Sequence, residues 1–340
     1  MKALVTGGGG FLGSHIVKLL LKEGHEVHVI ARGSYPKLEA MGVHCHKADL
    51  ANKASLIQPL KNIESVFHVA ALAGIWGDWE DYYNSNVLGT KNLLEVSKQQ
   101  GIQKFVYTSS PSVVFDGSNM ENVTEEVSYP SEYKTHYPKS KAMAEKMVIS
   151  ANSDEFLTCS LRPHLIWGPG DNHLIPRFLK RAKAGALKIV GDGSNLVDTS
   201  YVYDCARAHI LAEKSLNKGS ISCGQSYFIS QGEPVSLFDW INSFVEASGQ
   251  QKVRSKVPAK LAYQLGAVME FFYSLLRIKS EPRMTKFLAS ELSTSHYFDI
   301  SKAKNHFGYV PKYSMEKAFD ELKSSSYFKE LCQSLGLLKD

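Results

Sequence analysis

The stretch Thr6-Gly7-Gly8-Gly9-Gly10-Phe11-Leu12-Gly13 decides the fold of the first half of this chain. An apolar run, Ala3-Leu4-Val5, leads into it, and an amphipathic run, His15 to Lys22, leads out. The order is strand, glycine turn, helix. Gly7 lets the chain turn tightly. Gly10 lets backbone N–H groups approach a pyrophosphate, and Gly13 lets the new helix lie close to the sheet. The helix N-terminus then faces the phosphates with its partial positive charge. A glycine-rich string alone is weak evidence, but its place between a strand and a helix is the context that makes it a dinucleotide-binding turn.

Further strands follow at Glu26–Ala31, Val43–Lys47, Ser65–Ala71, Lys104–Ser109, Thr158–Arg162 and Tyr227–Ser230. Helices are expected at Asn86–Gln100, closed by Gly101, and from Tyr137 to about Ser150. This alternation over residues 1–165 predicts an α/β fold, a doubly wound parallel Rossmann sheet. Beyond Pro163 the strict alternation ends. Residues 166–340 are expected to form a smaller C-terminal substrate lobe, with 198–216 and 225–231 returning to the first domain.

With 340 residues the chain can bury a large core, and its net charge of +5, without a basic tract, argues against nucleic acid. Its five scattered cysteines form no Cys-x-x-Cys pair, so no disulfide framework or zinc site is expected. His44-Cys45-His46 resembles a metal cluster, but side chains alternate along a strand and Cys45 points away from the two histidines. No metal is expected. Met1 runs almost directly into a strand, which leaves no room for a signal peptide and implies a cytoplasmic protein. The run Ala259–Ile278 is apolar, yet Gln264, Glu270 and Arg277 interrupt it, so no transmembrane segment is expected. It reads first as a buried helix, and alternatively as a helix lining an apolar pocket or touching a membrane surface.

Three residues carry the expected chemistry. Tyr137 and Lys141 lie four apart at a helix start and share a face. Ser110 follows a strand at the carboxyl edge, where such sheets bind ligands. A phenol near its usual pKa of about 10 exchanges protons poorly at neutral pH, and an adjacent Lys141 ammonium is expected to lower that value. Ser110 would bond a carbonyl oxygen, with Ser112 as the fallback, while Tyr137 gives it a proton and hydride arrives from a nicotinamide. Arg32 stands at the end of the second strand, where NAD enzymes usually carry an acidic residue. A guanidinium there suits a 2′-phosphate, so NADP(H) is the expected cofactor; stacking of Arg32 on adenine is the alternative. The loop Gly74–Tyr83, with Trp76, Trp79, Tyr82 and Tyr83, is either a pocket wall or a local packing cluster.

The glycine turn, Ser110 and Tyr137-x-x-x-Lys141 together resemble the extended short-chain dehydrogenase/reductase family. The resemblance implies cofactor contacts from Gly7, Gly10, Phe11, Leu12, Gly13, Asp49, Leu50, Ala70, Lys141 and Pro163. It also implies a homodimer built on helices 86–100 and 137–150. The stretches Arg162–Arg177 and His296–Ala303 are similar to the 3β-hydroxysteroid dehydrogenase branch. Within that branch the chain resembles NADPH-dependent reductases of long-chain 2-alkyl-3-oxo acids in olefin biosynthesis. That likeness implies a long-chain apolar carbonyl substrate and an assembly with a β-lactone synthetase and a β-lactone decarboxylase. Three other readings stand beside it. The first is a sterol dehydrogenase. The second is a nucleotide-sugar epimerase using Arg177, Lys180, Arg181 and Lys183. The third is a non-catalytic NADP(H) sensor, which would tend to lose the tyrosine or lysine kept here.

Overall fold

The structure is a computed structural model and describes residues 1–338. Seven strands build the central sheet: β1 (Lys2–Thr6), β2 (Glu26–Ala31), β3 (His44–Lys47), β4 (Ser65–His68), β5 (Lys104–Thr108), β6 (Leu157–Pro163) and β7 (Gln225–Ile229). Their spatial order is β7-β6-β5-β4-β1-β2-β3, and every neighbouring pair is parallel. The order reverses between β1 and β4. A crevice opens at such a switch point, outside the carboxyl ends of the strands.

Period-two alternation sends successive side chains to two different cores. Ala3 and Val5 join Val27 and Val29 in one cluster, covered by helices α1 (Phe11–Lys22) and, later in the chain, Val202–Ser215. Leu4, Val66 and Phe105 face the other cluster, covered by α2 (Gly89–Gln99) and α3 (His136–Ser150). Burial on both faces explains why these strands read as continuous apolar runs. A third cluster, centred on Trp167, Trp240 and Phe244, draws its residues from the chain beyond Pro163.

Three expectations are corrected here. First, the helix expected from Asn86 begins earlier, at Trp79–Tyr82, runs through a π-helical turn at Tyr83–Leu88 and continues as α2. Glu80 and Asp81 sit in its first turn, where acidic groups favour a helix N-terminus. Half of the aromatic segment is therefore helix and not loop. Second, the polar, turn-rich stretch 116–136, whose composition reads as a loop over the site, is not all loop. Met120–Val123 forms a strand that pairs in parallel with His296–Phe298.

Third, helix α4 (Ala259–Leu275) is not buried; only Ala262 and Gly266 are. Leu261, Leu265, Val268, Phe272 and Leu275 form an outward stripe, Leu275 being 64% exposed. The contact seam is narrow because its residues are small. A Cβ on Gly266 would lie 2.5 Å from the Thr285 carbonyl carbon, so the helix rests directly on that backbone. Apolar content along the chain does not say which face meets the protein. No helix among the described residues is long and apolar enough to cross a membrane.

Candidate active site

Backbone freedom shapes the first part of the site. Gly7 has φ +69°, a left-handed conformation that glycine adopts without strain. A Cβ there would lie 3.0 Å from the Ala70 backbone, so the ends of β1 and β4 touch at this point. A Cβ on Gly13 would come 2.1 Å from the Gly7 carbonyl oxygen. That contact fixes how closely α1 follows the turn. The Tyr35 ring lies over Gly9, which folds the segment just after Arg32 back across the turn.

Hydrogen bonds tie this turn to the opposite side of the crevice. Thr6 Oγ1 accepts from the Val69 and Ala70 amides, each at 3.1 Å, and pairs with His68 Nδ1 at 2.7 Å. His68 Nε2 meets Thr90 Oγ1 at 2.9 Å, and Thr90 donates to the Asn86 carbonyl. Asn86 Nδ2 donates to Ser140 Oγ at 3.0 Å, and Ser140 donates to the Tyr137 carbonyl. The chain of bonds runs from the strand before the glycine turn to the first turn of α3. Burial holds His68 neutral, its pKa lowered to about 3, so it serves as a fixed connector.

One cavity of about 520 Å³ is lined by Gly7, Gly10, Phe11, Leu12 and Gly13 together with Ala70, Ser110, Tyr137, Lys141 and Pro163. Ser110 caps the short helical turn Pro111–Val114, accepting from Ser112 N, and its hydroxyl meets Ser112 Oγ at 2.9 Å. The two serines are thus linked, and both line the cavity.

The expected effect of Lys141 on Tyr137 is corrected. Burial pushes the Tyr137 phenol up to about 12, with the Ser110 hydroxyl pulling the other way. Lys141 Nζ donates to the Thr108 carbonyl and lies 4.2 Å from the Tyr107 ring centroid. Burial also lowers the Lys141 amine to about 7, while Glu145 opposes that fall. Each group loses the hydration of its charged form, and this is the largest cause of both shifts. Tyr137 is therefore a fully protonated donor at neutral pH, and Lys141 titrates near it.

Arg32, Asp49 and Leu50 lie outside this cavity. Arg32 and Asp49 are exposed beyond the ends of β2 and β3, and Leu50 packs under Gly89. Among the polar residues of the cavity wall that sequence reasoning missed are His164, Glu291 and His296. Asp198 Oδ1 pairs with His164 Nδ1 at 2.8 Å. Burial raises the Glu291 carboxyl, with His164 pulling it down. Around them Phe115, Met120, Leu165, Phe287 and Phe298 make the wall apolar. His164 lies in the stretch Arg162–Arg177 and His296 opens His296–Ala303, so the branch resemblance was the signal that could have singled them out. Glu291 and His296 arrive from the far end of the chain.

This geometry can be set beside known proteins. The family model described as "3-beta hydroxysteroid dehydrogenase/isomerase family" matches residues 4–259. The chain belongs to that family. This family member is an oxidoreductase of the extended short-chain dehydrogenase/reductase class, acting on the CH–OH/C=O pair. It is 42% identical over 328 residues to a 2-alkyl-3-oxoalkanoate reductase of Stenotrophomonas maltophilia, covering 96% of this chain and 99% of that one. It is 45% identical over 331 residues to a 2-alkyl-3-oxoalkanoate reductase of Shewanella oneidensis, covering 95% and 86%. Among solved structures, MoeE5 in complex with UDP-glucose and NAD matches with a TM-score of 0.73 at 26% identity, covering 98% of this chain and 100% of that one.

Proposed function

We propose that this family member reduces the 3-oxo group of a long-chain 2-alkyl-3-oxo acid to the 3-hydroxy acid, using NADPH. The observation that carries the reading is one cavity in which Tyr137, Ser110 and Lys141 face an apolar wall and open onto the glycine turn. Two relatives above 40% identity over nearly the whole chain carry the name of that activity.

The cavity fits a nicotinamide dinucleotide. Gly7, Gly10 and Gly13 leave no side chain between the turn and the cavity, and the N-terminus of α1 points its free amides there. Leu12, Ala70, Lys141 and Pro163 would flank the cofactor, and Asp49 and Leu50 would meet its adenosine half. Arg32, exposed beyond the end of β2, would hold the 2′-phosphate. When bound, the nicotinamide supplies the hydride.

In this reading Ser110 donates to the substrate carbonyl oxygen and fixes its angle. Tyr137 gives its phenolic proton to that oxygen as the alcohol forms. Lys141 holds the ribose and, when protonated, stabilises the phenolate left on Tyr137 until water returns its proton. His164, fixed by Asp198, would meet the substrate carboxylate, and the apolar wall would take the alkyl tails. Two copies would pair through helices 86–100 and 137–150, and the hydroxy-acid product suits hand-over to a β-lactone synthetase and then a β-lactone decarboxylase.

A panel tests this reading. NADPH loss is followed with a long-chain 2-alkyl-3-oxo acid, and NAD(P)⁺ reduction with 2-alkyl-3-hydroxy acids and with 3β-hydroxysteroids. The acids are expected to turn over well above the steroids. Steroid turnover without acid turnover would establish the second reading, a sterol dehydrogenase, which the family description favours.

A further inference from the structure

The outer edge of the central sheet carries a cluster that the reductase chemistry does not use. Glu26 and His28 are two apart on β2 and point to the same side. His44 is the cross-strand partner of His28, and His46 follows two residues later on β3. Cys45 packs on the opposite face, against the core under α1. This placement puts a carboxylate and three imidazoles on one face of two adjacent strands.

The distances are those of a ligand set. Glu26 Oε1 lies 3.0 Å from His28 Nε2 and 4.0 Å from His44 Nε2. One donor atom from each residue lies within 4.8 Å of the others. Around a tetrahedral ion with bonds of about 2.0–2.1 Å, ligand atoms sit about 3.3 Å apart. Small rotamer changes close that difference. The His28 and His44 rings stack at 4.7 Å, which leaves both Nε2 atoms beside the same carboxylate oxygen. The other oxygen of Glu26 is held by Lys2 at 3.2 Å, so Oε1 remains for a further cation.

His46 supplies the outer support that imidazole ligands require. His46 Nε2 lies 2.9 Å from His28 Nδ1. While His28 Nε2–H donates to Glu26, His46 donates to His28 Nδ1. When Nε2 turns its lone pair to a cation, Nδ1 carries the proton and donates to His46. One neighbour thus stabilises either tautomer, and metal-bound histidines almost always have such a partner. His44 is 57% exposed, which leaves an entry path and room for water as a fourth ligand.

We propose that Glu26, His28 and His44 bind a divalent cation of the zinc type, with His46 orienting His28. The ion would clamp the edge strand β3 to β2, the two strands that lead to Arg32 and Asp49. It takes no part in hydride transfer.

The test uses the full-length protein freed of metal with a chelator, titrated with zinc sulfate by calorimetry and followed by thermal melting. One zinc per chain with micromolar or tighter affinity is expected, together with a rise in Tm. His44→Ala, a change at an exposed position, should weaken binding at least tenfold and abolish the rise in Tm. His46→Leu should weaken it by about 10–100-fold, the usual loss for an outer partner. Cobalt in place of zinc should show no thiolate charge-transfer band, because no cysteine is a ligand. Unaltered zinc binding in His44→Ala, a thiolate band, or no uptake at submillimolar zinc would each overturn the proposal.

Discussion

Glu145 and Arg162 form an ion pair at 2.7 Å with almost no access to water, one turn along α3 from Lys141. The pair fastens α3 to β6, and so sets where Tyr137 and Lys141 stand over the sheet. Tyr129 and Ser160 donate to the same carboxylate, at 2.7 and 2.8 Å. Burial alone would raise the Glu145 pKa, but Arg162 and then the Tyr129 hydroxyl hold it below the usual carboxylate range.

Breaking this pair should be severe. Glu145→Gln leaves the Arg162 guanidinium buried without its counter-charge, a change that costs about 3–5 kcal/mol. Denaturant midpoints measure the loss. A change below about 1 kcal/mol would show that water reaches the pair.

The Lys141 shift makes a signed prediction for stability. Its folded pKa is about 7 against an ordinary value of 10.5. Between those values the unfolded chain binds the proton and the folded chain does not. Stability conferred by this site therefore rises with pH across that window, by at most about 1.4 kcal/mol per pH unit. Lys141→Met should lack this rise, seen as a wild-type minus variant difference in denaturation that grows from pH 7 to pH 10. A flat difference would mean that Lys141 stays charged.

Tyr137→Phe is expected to cut turnover by at least about 100-fold, the usual share of a positioned proton donor. Cofactor binding should stay unchanged, as read by fluorescence titration. Near-normal turnover would assign the proton to another group.

Space around the turn predicts a contrast between glycines. Gly13→Ala forces its Cβ onto the Gly7 carbonyl, so cofactor affinity and Tm should both fall. Gly33→Ala, which meets nothing within 4 Å, should leave Tm unaltered. At the neighbouring position, Arg32→Ala should raise the KM for NADPH about tenfold or more and leave that for NADH unchanged, as a lost phosphate contact requires. Equal effects on both would assign Arg32 to adenine stacking.

The outward stripe of α4 separates two kinds of substitution. Val268→Ser, at an exposed position, should change stability by less than about 0.5 kcal/mol. Gly266→Ala should destabilise, because the new Cβ meets the Thr285 backbone. Reversal of that order, measured by urea denaturation, would mean that the helix packs through its large side chains.

The sheet was legible in the sequence because its cause is local. An apolar run, a glycine turn and an amphipathic run specify β1, the crevice and α1 within about twenty residues, and parallel strands buried on both faces repeat that signal. Tyr137, Lys141 and Ser110 were legible for the same reason, since each is placed by the strand or helix start beside it.

What needed the tertiary structure was everything set by contacts between distant segments. The face of α4 that meets the protein depends on the Thr285 backbone, and the strand at Met120–Val123 exists because His296–Phe298 lies beside it. The Tyr137 and Lys141 pKa values follow from burial, which neighbouring residues in the chain do not report. His164, Glu291 and the Glu26–His28–His44 cluster are likewise products of folding. Sequence determined, through periodicity and turn residues, which strand end and helix start bring Ser110, Tyr137 and Lys141 to the crevice. Only the packed chain decided their hydration and their partners, because both are properties of groups that meet across space.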